Sequence, residues 1–285
     1  MQSSLRIHVQ PIGGLANRMF QQMMAIVLQR QFADSFITGN ATPETPLFQT
    51  DVGEPDLGRA LKISSHNVDL LGVRKRIEKG EWDTILIKSP SLDVRHYAHM
   101  RNEFAGLFGL EKSPLQINSD EIVVHVRLNK MQFYSGDALT VHKDYPPLPL
   151  RFIEKVLADN NLSPIFVGEF GNDPISLRLR QKYSNCRFIR SPNAIDDFIS
   201  LFSAPRALIS PSSFSWLATW ISPTTKKIYQ PLLGLMNPDQ RPDVNLVAED
   251  DRYEYFSFPV WRWSATANDV DRAVNEDLGS KWTRG

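Results

Sequence analysis

The chain is poor in several things. It has one cysteine, Cys186, in 285 residues. An internal disulfide needs two and a thiolate metal cluster needs more, so both are excluded. The lone thiol is expected to be a small buried apolar residue. There is no net charge either, since 32 Lys and Arg balance 32 Asp and Glu. That balance gives no pull toward nucleic acid or an acidic membrane surface. No apolar run approaches the roughly 18 residues of a membrane span. The opening MQSSLRIHVQPIGG lacks the basic start and apolar stretch of a secretory signal and reads as a strand. A soluble cytoplasmic protein without an integral membrane segment is therefore expected, with peripheral contact at the inner membrane left open. Repeats and low-complexity tracts are absent. So is any spaced DxD pair at a strand end: Asp196-Asp197 is adjacent and precedes a helix.

What is present is an alternation of short β-branched runs with amphipathic ones. The chain is 42% hydrophobic, enough to bury a substantial core in one large or two medium domains. Strands are predicted over 5–12, 84–88, 121–127, 164–168, 187–189, 207–209 and 226–229. Helices are predicted over 17–33, 68–79, 96–108, 150–157, 175–183, 197–204, 214–221 and 269–278. Residues 36–90 are hard to read, with loops at Pro43, Pro46 and Pro55. Strand–helix alternation of this kind implies α/β architecture, with parallel sheets and helices on both faces. A domain boundary is expected near Asn118, giving domains over 1–118 and 119–285.

The chain is organised around Ser210–Trp220, SPSSFSWLATW. A short apolar strand leads in and a helix leads out. A hydroxyl-rich turn that opens a helix suits an anion, because backbone N–H groups and the helix dipole both point at it. A second strand-to-helix turn, Gly13-Gly14, has only adjacent glycines and so lacks the dinucleotide fingerprint; alone it reads as a plain connection. His125 and Arg127 end a strand on the same face. Arginine there suits a diphosphate, because its fork donates two parallel hydrogen bonds, but HVR alone reads first as a salt-bridged arginine at a strand end. Asp197 has the chemistry to accept both N–H groups of a guanine edge, and equally the position of a helix cap or first-turn acid. The loop 128–149 offers Asp137, His142 and Asp144, and Glu169 ends the next strand. Each of these reads as a surface or acceptor-binding residue before it reads as a catalytic base.

Three segments together resemble the bacterial α-1,2-fucosyltransferases of glycosyltransferase family 11. GGLANRMFQ at 13–21 is similar to the family's opening GGLGN-Q-MFQ, HVRLNK at 125–130 to its HxRxGD, and SSFSWLATW at 212–220 to its SSFSWW type. The resemblance implies two facing Rossmann-like domains (the GT-B arrangement). It implies inverting transfer of L-fucose from GDP-fucose to a glycan hydroxyl, with no metal or other cofactor. It assigns Arg127 to the β-phosphate and to catalysis by stabilising the departing GDP. Ser212, Ser213 and Phe214 would line the diphosphate and fucose pocket, and His125 and Asp197 would flank the guanine. Gly14 and Asn17 would approach the donor sugar from the first domain, which would be the acceptor side. The expected partners are a nucleotide sugar donor and a glycan acceptor, with no nucleic acid.

The family's Gly-Asp is replaced here by Asn129-Lys130, its Gln after the motif's Asn by Arg18, and its second Trp by Leu217. These departures keep open a same-fold transferase with another nucleotide sugar, and a glycan- or nucleotide-binding protein without catalysis. No catalytic base is assigned by sequence.

Overall fold

The computed structural model describes residues 4–39, 58–111, 113, 115–128 and 141–281. Asn129, Lys130 and Asp137 therefore lie outside the described residues. The chain forms two compact units, Met1–Leu110 with Asp243–Leu246, and Glu111–Pro242 with Val247–Gly285. The division falls somewhat ahead of Asn118, and a four-residue segment of the later chain joins the first unit.

The first unit holds β1 (Leu5–Val9), α1 (Leu15–Gln31), β2 (Ser35–Gly39), β3 (Ala60–Ile63), α2 (Leu70–Glu78), β4 (Thr84–Ile87) and α3 (Arg101–Leu107). Its strands lie in the order β2-β1-β4-β3, all parallel. Leu5, Ile7 and Val9 are buried while Arg6 and His8 are half-buried, the period-2 signature of a strand. Met19, Phe20, Met23, Met24 and Val27 bury the sheet-facing stripe of α1. The helix predicted over 96–108 is broken: two 3-10 turns, Val94–His96 and Ala98–Met100, precede α3. A three-residue turn satisfies the spacing of Tyr97 and Met100 as well as an α-helix does, so the periodicity could not separate them. Asn245 holds the returning segment here. Its N–H donates to the Leu92 carbonyl at 2.8 Å, and its own carbonyl accepts from the Val94 N–H at 2.8 Å.

The second unit holds β5 (Glu121–Arg127), α4 (Leu150–Asn160), β6 (Ser163–Glu169), α5 (Pro174–Lys182), β7 (Arg187–Ile189), α6 (Ala194–Phe202), β8 (Arg206–Leu208), α7 (Ser213–Ile221), β9 (Lys227–Leu232), β10 (Tyr253–Ser257), α8 (Ala267–Asn275) and β11 (Ser280–Lys281). Its sheet runs β11-β10-β9-β8-β5-β6-β7. Two expectations are corrected. The strand predicted at 226–229 is not the last, and β11 pairs antiparallel with β10 at the sheet's edge.

The order of the remaining strands fixes the layers. The chain moves outward from β5 to β6 and β7, then returns to place β8, β9 and β10 on the other side of β5. Right-handed crossovers in opposite directions put their helices on opposite faces. Consistent with this, α4 and α5 pack with α8, while α6 packs with α7. Between β5 and β8 the direction of progress reverses, and ligands of such sheets bind in the crevice beyond the carboxyl ends at that point. The core beside it is dense with rings: Phe152 packs edge-on against Phe256 and Phe258, and Trp216 stacks on Trp220. Cys186 is half-buried at the margin of this core, not enclosed, and burial raises its thiol pKa.

Candidate functional site

Two strand ends meet at the reversal point of the second sheet. β5 delivers His125 and Arg127, and β8 runs into the serine turn that starts α7. Val124 pairs with Leu208 in register, so the segments that follow the two strands emerge side by side.

The serine turn builds itself. Ser212 is the N-cap of α7, and its hydroxyl accepts the Phe214 N–H at 3.3 Å. The Ser215 hydroxyl donates to the carbonyls of Ser210 at 3.1 Å and Ser212 at 3.3 Å. Ser210, Ser212, Ser213 and Ser215 are all buried. The hydroxyls of Ser212 and Ser215 thus serve first to shape the turn, and what the turn presents outward is the start of a helix.

Arg127 joins that start. Its Nη1 donates to the Ser212 hydroxyl at 3.1 Å, so one oxygen ties the strand end to the helix cap. The guanidinium carbon lies 4.5 Å from the centre of the Tyr145 ring. His125 is buried, with Nδ1 at 2.6 Å from the Ser210 hydroxyl and its ring stacked on Phe214 at 5.5 Å. Burial, helped by Arg127, lowers its pKa from 6.5 to about 3. The imidazole is therefore neutral at every physiological pH. Phe214 in turn meets Phe198 edge-on at 5.3 Å, which links α7 to α6.

Asp197 lies in the first turn of α6, mostly buried, with Oδ1 accepting the Ser191 N–H at 3.4 Å. The cap itself is Asn193, which takes the Asp196 N–H at 3.0 Å, so Asp197 is not the capping residue. Burial raises the Asp197 pKa, and Glu169 at the end of β6 pushes the same way. His125, Arg127, Ser212, Ser213, Phe214 and Asp197 thus all sit at one edge of this unit. Gly14 and Asn17 stand in the first unit, at the corresponding turn after β1. There Gly13 has φ +75, and a Cβ on it would lie 2.4 Å from Asn17 Nδ2. Gln21, fully buried, donates to the Gln10 carbonyl at 2.6 Å and accepts the Ile12 N–H at 3.0 Å, stapling that turn from inside.

The loop acids and histidine separate. Asp144 was expected at the surface or against an acceptor. It is instead buried and takes Gln240 Nε2 at 3.0 Å and Arg241 at 3.2 Å. His142 Nδ1 accepts the Asp144 N–H at 3.2 Å, so its neutral ring carries the proton on Nε2 and has no lone pair to offer as a base. Burial lowers its pKa first, with nearby cations, Arg127 among them, acting the same way. Tyr145 was missed by sequence reasoning. It lies in a Pro-rich loop without periodicity, and only the folded chain brings it to Arg127. Among the described residues, no group of three or more His, Cys, Asp or Glu is arranged to hold a metal ion, and no helix is long and apolar enough to cross a membrane.

No family model and no curated protein matches the chain. Among solved structures, it is similar to TibC, a bacterial iron-containing dodecameric glycosyltransferase from enterotoxigenic E. coli, at 9% identity and TM-score 0.37, over 81% of this chain and 59% of that one. This chain thus spans under two thirds of TibC. It is similar to the E. coli heptosyltransferase WaaC with ADP at 11% identity and TM-score 0.45, over 94% of this chain and 98% of that one. A family 9 glycosyl transferase from Veillonella parvula aligns at 12% identity and TM-score 0.43, over 90% of this chain and 88% of that one. None of the three is described as a fucosyltransferase.

Proposed function

We propose that the protein is a glycosyltransferase whose donor, a nucleoside diphosphate sugar, binds at the carboxyl edge of the second sheet. One observation carries the reading: Arg127 is hydrogen-bonded to the N-cap of α7 where the strand order reverses. A guanidinium and a helix start there supply a cation and aligned amide dipoles for one diphosphate. As the bond from sugar to phosphate breaks, negative charge grows on the departing diphosphate. Donors fixed in advance stabilise that growth without reorganising. An acceptor hydroxyl attacking from the opposite side of the sugar gives inversion. The sugar half of the reading, the GT-B arrangement and the contributions of Gly14 and Asn17 rest on the three-segment resemblance.

The donor is proposed as a nucleotide sugar other than GDP-fucose, since the acid of the family's Gly-Asp is replaced by Lys130. GDP-fucose, with Asp197 at the guanine edge, is the competing donor. Calorimetry with ADP, GDP, UDP and CDP tests the site and ranks the bases. Micromolar binding of one of them, followed by hydrolysis or transfer of its sugar, supports the proposal. Failure of all four to bind overturns it. Binding without turnover on glycan acceptors leaves a nucleotide-binding protein.

A further inference from the structure

We propose that Tyr145 is a positioning residue that fixes the plane of the Arg127 guanidinium before a diphosphate arrives; this rests on the diphosphate reading above. A guanidinium is flat and weakly hydrated, and an aromatic face holds it by cation–π attraction while leaving its N–H edge for hydrogen bonds. The Arg127 guanidinium carbon lies over the Tyr145 ring, 4.5 Å from its centre, while the Ser212 hydroxyl takes one N–H at 3.1 Å. A plane and one edge are thereby set together.

A ring can orient an arginine only if it is itself held, and the segment beneath Tyr145 is anchored at several points. The Asp144 carboxylate binds Gln240 and Arg241, and its carbonyl accepts the Leu235 N–H at 2.8 Å. The Lys143 carbonyl accepts the Trp263 N–H at 3.0 Å, and the Tyr145 N–H donates to the His142 carbonyl at 3.1 Å. The His142 ring packs on Tyr145 at 4.8 Å. Gly234, with φ +56, permits this closure, because a Cβ there would stand 2.5 Å from the Asp144 carbonyl oxygen. Arginine's rotamer freedom is then lost on folding and not on binding, which raises affinity for the ligand.

The experiment is calorimetry with ADP, GDP, UDP and CDP on wild type, Tyr145→Phe, Tyr145→Leu, Tyr145→Met and Arg127→Ala, and on Arg127→Ala combined with each Tyr145 change. Tyr145→Phe keeps the ring and should stay within roughly twofold of wild type. Tyr145→Leu and Tyr145→Met should weaken the preferred nucleotide by roughly three- to thirtyfold, the range of a cation–π contact. In the Arg127→Ala background the same changes should do nothing, because the tyrosine acts through the arginine. A merely structural tyrosine would weaken binding by the same factor in both backgrounds, and that result overturns the proposal. So does wild-type affinity in the Leu and Met variants, or a loss in Tyr145→Phe as large as in Tyr145→Leu. If Arg127→Ala binds as wild type does, or wild type binds none of the four, the diphosphate reading falls and takes this one with it. Melting temperatures identify any variant that fails to fold; Leu and Met differ enough in shape that either alone decides the outcome.

Discussion

Arg127 ends a buried strand, yet its own side chain stands at the rim, between a ring face and a helix cap. Removing it should cost nucleotide binding about 1.5–3 kcal/mol, the range for hydrogen bonds to a charged group. Arg127→Lys should not restore affinity, because a point charge cannot lie flat on Tyr145 and donate in parallel to two phosphate oxygens. Calorimetry on wild type, Arg127→Ala and Arg127→Lys checks both statements, with unchanged melting temperature as the folding control. A Lys variant of normal affinity would reduce the role to charge alone. His125, two residues earlier, gives a stability prediction. Its pKa is about 3 in the folded chain, against 6.5 for the free side chain. Between those values the unfolded chain binds the extra proton, so this residue's contribution is full above about pH 6.5 and falls as pH drops toward 3. The slope is at most about 1.4 kcal/mol per pH unit. Asp197, with its raised pKa, acts in the opposite sense, so the comparison must be between proteins. His125→Gln should show a shallower loss of urea stability between pH 6.5 and 4.5 than wild type; equal slopes would mean that His125 is readily protonated in place. At this scale the sequence was partly legible. Arg127 and the serine turn stand out by residue type at a strand end. Tyr145 and the stapling role of Gln21 do not, because each depends on contacts that local pattern does not encode.

At the scale of elements, α7 is held at both ends. Its start is tied to Arg127. Its end is held by Arg252, which donates to the carbonyls of Thr219 at 3.3 Å, Trp220 at 2.9 Å and Ser222 at 3.0 Å. A cation there answers the negative end of the helix dipole and its unpaired carbonyls. Asp250 pairs with the same guanidinium at 2.7 Å. Arg252→Met should therefore destabilise the fold by roughly 3 kcal/mol, since it leaves several carbonyls and a shielded carboxylate without their donor. Urea denaturation measures this, and a loss below about 0.5 kcal/mol, the scale of an ordinary surface change, would show that the end of α7 is supported by packing alone. Elements with strong burial were read well from sequence: β5 is buried on five successive residues and was placed at 121–127. Others gave little signal. β2 is an edge strand without any fully buried residue, β11 is a two-residue antiparallel edge, and β10 follows an acidic turn that reads as loop. The four residues that return to the first unit are held by backbone hydrogen bonds, by Asn245 Nδ2 donating to Asp93 Oδ1 at 3.3 Å and by the buried Val244 and Leu246, contacts too distant in sequence for local pattern to encode.

For the molecule as a whole, the strongest mechanistic consequence concerns metal. A nucleoside diphosphate brings two or three negative charges, and enzymes neutralise them either with a divalent cation or with fixed donors. The second unit offers fixed donors: Arg127 and the start of α7, worth about half a positive charge. Nucleotide affinity should accordingly survive excess EDTA and should not rise with added Mg²⁺ or Mn²⁺. It should instead fall with ionic strength, since the guanidinium sits at a solvent-facing rim where salt screens it. Charge removal at the site then becomes a sharper probe than chelation. In Arg127→Ala the same diphosphate loses its fixed cation, and added Mg²⁺ should recover part of the lost affinity by neutralising the ligand before it binds. Titrations with and without added metal separate the cases. Loss of wild-type binding in EDTA, restored by Mg²⁺, would mean that the metal carries the diphosphate charge and that Arg127 serves another purpose.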